Sequence, residues 1–133
     1  MERIVPDTSV LIDWLRAGRH EGLLLRTGAI KYLSAVVAME LAAGASLPRD
    51  RDTVAKLVRG YRGVGRLLVP TGRTYAQAGV LLRSLRAKGR GSSIANDVLI
   101  ALSARAIGAT VITGDGDDFR VIHTLCAFGL VVV

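Results

Sequence analysis

Four acidic residues stand where acids are hard to accommodate: Asp7, Glu40, Asp97 and Asp115. Asp97 lies in the stretch Ser93–Ala104, where Ile94, Val98 and Ala101 recur at helical spacing, and it falls on their apolar stripe. A carboxylate on such a face is costly unless a metal ion, a basic side chain or a backbone N–H pairs with it. Glu40 is the only charged residue between Ala35 and Ala45 and sits beside Val36 and Val37 in a helical register. Asp7 follows the apolar Ile4-Val5-Pro6, and Asp115 follows Val111-Ile112-Thr113-Gly114. Hard divalent cations such as Mg²⁺ and Mn²⁺ take oxygen ligands, so four carboxylates meeting at one point suit such an ion. An ion held this way polarises a phosphate and activates water, and two ions roughly 4 Å apart can hold both the attacking and leaving oxygens. The chemistry this constellation fits is phosphodiester hydrolysis. Thr8, Ser9 and Thr113 are placed to orient a carboxylate or water around it.

Each acid also has a plainer reading. Asp7, Thr8 or Ser9 can simply cap the helix that begins at Val10. Asp115, Asp117 and Asp118 can be an acidic turn, although three neighbouring carboxylates repel one another. Glu40 can be an ordinary exposed helical glutamate.

The elements that position these residues alternate. Short strands are predicted at Arg3–Pro6, Lys31–Leu33, Arg66–Pro70, Thr110–Thr113 and Leu130–Val133. Helices are predicted from Val10, over Ala35–Ala45 behind a Ser34 cap, over Thr53–Tyr61, over Thr71–Lys88, and from a cap at Ser92 or Ser93 through Ala104. Pro48–Asp52 reads as a polar loop and helix start, and Val121–Phe128 as mixed. Asp13 and His20 are expected to face solvent, and His123 to lie at or near the surface. Alternating strands and helices predict an α/β fold with a short, mainly parallel central sheet and helices on both faces. Ligands of such sheets bind at the carboxyl edge of the strands, where Asp7 and Asp115 fall.

The 133 residues suit one domain, 1–133, with one core. Half the residues are hydrophobic but only 5% aromatic, so the core must be aliphatic. One cysteine, Cys126, excludes an internal disulfide and any multi-cysteine metal site. No apolar run approaches the roughly 20 residues that span a bilayer, and the N-terminus lacks a signal-peptide layout. No membrane contact is expected, and the cytoplasm is the default compartment. The net charge of +7 attracts polyanions. Arg83, Arg86, Lys88 and Arg90 concentrate that charge at the end of a helix leading into the Asp97 segment. They either complement the helix dipole or grip RNA phosphates.

The segments around the acids resemble the motifs of PIN-domain ribonucleases. Val5-Pro6-Asp7-Thr8-Ser9-Val10-Leu11-Ile12 is similar to their opening. Ser34–Gly44 around Glu40-Leu41, Asn96-Asp97-Val98-Leu99-Ile100-Ala101, and Val111-Ile112-Thr113-Gly114-Asp115 continuing to Asp118-Phe119 resemble the next three. Order, spacing and length look most like the VapC-type toxins of toxin–antitoxin pairs. The resemblance implies a PIN fold, Mg²⁺- or Mn²⁺-dependent endoribonuclease activity on RNA, a small cognate antitoxin and a homodimer. Carried over residue by residue, it makes Asp7, Glu40, Asp97 and Asp115 the catalytic, metal-binding acids, with Asp118 assisting. Asn96 falls where the family often has a polar neighbour to its aspartate. Asp117 and Asp118 enlarge the acidic turn beyond the pattern.

Two other readings compete. A haloacid-dehalogenase-like phosphatase also puts an aspartate after its first strand, but Ser9 stands where that family wants a second one. A non-catalytic, basic RNA-binding module would leave the four acids without a task.

Overall fold

The computed structural model describes the backbone of residues 1–133 and every side chain but that of Ser92. The chain runs β1 (Glu2–Pro6), α1 (Thr8–Ala17), α2 (Glu21–Leu24), β2 (Ala29–Lys31), β3 (Leu33–Ser34), α3 (Ala35–Gly44) and α4 (Pro48–Gly63). It continues β4 (Leu67–Leu68), α5 (Gly72–Ala87), a 3₁₀ turn (Ser92–Ile94), α6 (Ala95–Ala106), β5 (Thr110–Thr113), α7 (Asp117–Leu125) and β6 (Gly129–Val132).

Four strands form a central sheet in the order β2-β1-β5-β6, and every pairing is parallel. The two inner strands are apolar without alternation: Ile4 and Val5 in β1, and Val111 and Ile112 in β5, are all buried. Consecutive burial of this kind means both faces of the sheet are covered. Connections β1→β2 and β5→β6 run in opposite directions across the sheet, so a common right-handedness puts α1 and α7 on opposite faces. Val10, Val37, Val98, Ala101 and Ile122 complete an aliphatic core, with Phe119 set edge-on to Phe128. Cys126 is buried as a small hydrophobe. Pro6 has no N–H to donate, and the N–H of Asp7 resumes the ladder by donating to the Ile112 carbonyl at 2.9 Å. No helix among the described residues is long and apolar enough to cross a membrane.

The structure departs from the sequence expectations in several places. Lys31–Leu33 is not one strand. β2 ends at Lys31, the Tyr32 N–H donates to the Ile4 carbonyl, and the Leu33 N–H donates to the Arg66 carbonyl, so β3 pairs with β4 in a separate two-stranded parallel sheet. Pro48–Asp52 is the expected helix start with no loop within it: proline at the first helical turn fits its fixed φ, and Asp50 favours the dipole there. α7 replaces the mixed segment, started by two acids in its first turn and anchored by Phe119 and Ile122. His20 takes a left-handed φ of 63° and turns back to Asp13, with 3.4 Å between Nε2 and Oδ2, instead of simply facing solvent. At the head of α6, Ile94 is the cap residue and makes no side-chain cap bond. Ser93 therefore does not serve as predicted, and the Ser92 side chain lies outside the described residues.

Candidate active site

The carboxyl edge of β1 and β5 is tied together by hydroxyls. Asp7, only 7% exposed, caps α1 by accepting from the Val10 N–H. Its Oδ1 also accepts 2.6 Å from Ser9 Oγ, and its Oδ2 accepts 2.6 Å from Thr113 Oγ1. Charge-assisted bonds of this length hold the carboxylate in one orientation. Ser9 Oγ in turn accepts from the Gly114 N–H at 3.1 Å, and Thr113 Oγ1 accepts from the Asp115 N–H at 3.1 Å. The two hydroxyls thus bridge the start of α1 to the turn after β5. A Cβ on Gly114 would lie 3.3 Å from Ser9 Oγ, so the glycine lets that turn pass close to the serine. The capping reading of Asp7 holds: its side chain accepts from the Val10 N–H at the head of α1.

Glu40 enters from α3. Ser34 caps that helix through the Val36 and Val37 N–H groups, which sets the register that brings Glu40 to α1. Thr8 Oγ1 donates to Glu40 Oε1 at 2.7 Å. The glutamate is half-buried and stands at the wall of a cleft of about 190 Å³ between α1, α3 and α4. Arg16 shares that wall.

Asp115 is exposed at the turn after β5, and its Oδ1 faces the Asp117 N–H at 3.5 Å. Asp117 points away to pair with Arg120 at 3.6 Å. Asp118 turns towards the site and pairs with Arg90, whose Nη1 donates to Oδ1 at 3.1 Å. Arg90 therefore stands apart from Arg83, Arg86 and Lys88, which remain exposed on and just beyond α5. Sequence distance hid this pair.

Asp97 lies in the first turn of α6, half-buried, next to half-buried Asn96. Burial and then the charges of Asp118, Asp7, Glu40 and Asp115 push its carboxyl up to about 7. Acids from three other parts of the chain thus act on one carboxyl, and each disfavours its charge. Among the described residues no three His, Cys, Asp or Glu side chains close tightly enough to hold one ion. The donors are all oxygens, the kind a hard divalent cation takes, and two of them, Asp7 and Glu40, are held by hydroxyls.

The PIN domain family model matches residues 4–124. No curated protein matches the chain. Several solved structures share its fold. VapBC2 from Rickettsia felis, bound to a DNA fragment from its promoter, gives a TM-score of 0.70 at 22% identity, covering 98% of each chain. VapBC-5 from Mycobacterium tuberculosis, a member of the VapBC family of toxin–antitoxin systems, gives 0.69 at 24%, covering 100% of each. DNA-bound VapBC from Salmonella typhimurium gives 0.69 at 24%, covering 99% of this chain and 98% of that one.

Proposed function

The chain belongs to the PIN domain family, and from that membership we propose that residues 1–133 form one endoribonuclease domain dependent on Mg²⁺ or Mn²⁺, the toxin of a VapBC-type pair. The observation that carries the reading is the gathering of acids around Asp97: hydroxyls orient Asp7 and Glu40, and the charges of Asp118, Asp7, Glu40 and Asp115 all act on its carboxyl. PIN domains are generally nucleases that need a divalent metal, and the structural likeness to VapBC chains supports a small antitoxin as partner. A homodimer in the cytoplasm completes the reading, with exposed Tyr75 and Val80 on α5 available to a second copy.

Asp7, Glu40, Asp97 and Asp115 would have to draw closer together to hold the ion, with Asp118 beside them. When bound, the ion supplies positive charge for the scissile phosphate and makes water nucleophilic near neutral pH. Ser9 and Thr113 hold Asp7 in place, and Thr8 holds Glu40, so the acids meet substrate already oriented. Without a cation, Asp97 keeps its proton up to about pH 7 and must release it to become a ligand. Arg83, Arg86 and Lys88 would steer the RNA backbone towards the loop that carries Arg90.

RNA set against p-nitrophenyl phosphate tests the reading. With Mn²⁺ the purified protein should cut RNA internally and leave the small ester intact. Ester hydrolysis without RNA cleavage would instead favour the phosphatase.

A further inference from the structure

A second cleft lies away from the acids. It has a volume of about 350 Å³ and is lined by Lys31, Lys56, Leu57, Gly60, Tyr61, Val64 and Arg66. None of its lining residues is acidic. Half-buried Leu57 and Tyr61 give it an apolar floor, exposed Gly60 and Val64 stand at its edge, and three cations rim it.

Its parts are held in place by the fold. The Arg66 N–H donates to the Tyr61 carbonyl at 2.8 Å, closing the turn after α4. Lys31 Nζ reaches the Arg26 carbonyl at 3.4 Å. Lys56 pairs with Asp52 one turn back on α4, but both are well exposed, so the pair is weak and exchangeable. Arg66 is exposed and makes no ion pair among the described residues. Burial holds the Tyr61 phenol above its ordinary range, against the opposing charge of Arg66, so the ring stays a neutral hydroxyl donor.

The cleft's position relates it to the acids. Lys31 is the last residue of β2, which runs parallel to β1 towards the edge where Asp7 follows β1. Lys31 is in register with Ile4, three residues before Asp7. One strand spacing and three residues of rise put the two Cα atoms about 11 Å apart. A single strand engaged at the acids can reach that far.

We infer that this cleft is a nucleotide subsite, taking one unpaired nucleotide of the RNA with its base on the Tyr61–Leu57 floor and its phosphate among Lys31, Lys56 and Arg66. An apolar floor that includes an aromatic ring, beside cations, is the combination that binds single strands without base-edge readout. The inference rests on the nuclease reading for its ligand but not for its test.

The test is binding of a fluorescent octauridylate in EDTA, where no metal-dependent cutting occurs, at several salt concentrations. The proteins compared are wild type, Arg66→Glu and Lys31→Gln, each checked for an unchanged thermal melt. Arg66→Glu is expected to weaken binding about tenfold. Each variant is expected to lower the log–log salt slope by about 0.7, the value of one single-strand phosphate contact. Lys31→Gln, which removes a charge without adding one, keeps the result interpretable if Arg66→Glu melts early. Wild-type binding that both variants match would overturn the subsite and leave the nuclease reading standing. Uridine 5′-monophosphate is the second probe. Its competition with the octamer in wild type but not in Arg66→Glu supports the subsite. Competition that survives Arg66→Glu overturns it. Failure of metal-dependent RNA cleavage, with octamer binding still weakened in the variants, would instead count against the nuclease reading alone.

Discussion

Thr113 at the end of β5 donates a 2.6 Å hydrogen bond to Asp7 at the end of β1, across 106 positions of sequence. The bond joins neighbouring parallel strands at their carboxyl edge and fixes one oxygen of the most deeply buried acid of the site. Thr113→Val keeps the shape and removes the donor. Hydrogen bonds to charged groups contribute about 1.5–3 kcal/mol, and a loss of stability in that range is expected from urea unfolding. RNA cleavage should fall with it, because Asp7 is then held only by Ser9 and the α1 N-terminus. Unchanged stability would mean the hydroxyl does not carry the carboxylate.

Asp97 makes stability depend on pH in a direction unusual for an acid. Its carboxyl ionises near 3.8 in an unfolded chain and near 7 in the fold. Between those values the folded protein holds a proton that the unfolded chain has released, so stability falls as pH rises through that window. Below it both states are protonated, and above it both are ionised with the penalty complete. Urea midpoints from pH 4 to 8 should show this decline in EDTA, and Asp97→Asn should flatten it. Mn²⁺ should raise the wild-type midpoint more at pH 8 than at pH 5, and should do little for Asp97→Asn.

Arg90 and Asp118 form a pair that is 41% and 37% exposed, so its removal should cost less than about 1 kcal/mol. Asp118 is the first of the charges acting on Asp97, and Arg90 is its ion-pair partner, so removing Arg90 leaves that charge uncompensated. Arg90→Gln should move the stability decline to higher pH with little change in the midpoint at pH 4. A large loss at every pH would make the pair structural.

Arg83, Arg86 and Lys88 are exposed on or just beyond α5. Reversing all three to Glu should weaken RNA binding and reduce its salt dependence by about 0.7 in slope for each phosphate no longer neutralised. Mn²⁺ binding should be unchanged. Retained RNA affinity would assign these cations to the helix dipole alone.

Much of the fold was legible because its signals are local. Apolar runs ending in Asp7 and before Asp115 announced parallel strands, and Ser34 announced the helix that carries Glu40. What was not legible depends on residues far apart. Nothing within Lys31-Tyr32-Leu33 says that the chain leaves one sheet for another, since the partners that decide it are Ile4 and Arg66. Arg90 reads as one more cation at a helix end until Asp118, 28 positions on, is seen to pair with it. The acids themselves stood out by type and surroundings, and only the fold brings their charges to bear on Asp97.

RNA cleavage by the purified protein, with Mn²⁺ or with EDTA, beside Asp97→Asn, tests the central claim most directly. Internal cutting that needs Mn²⁺ and is lost in Asp97→Asn is the predicted result. Cutting that persists in EDTA, or that Asp97→Asn performs as well as wild type, would contradict the claim that these acids form one metal-dependent nuclease site.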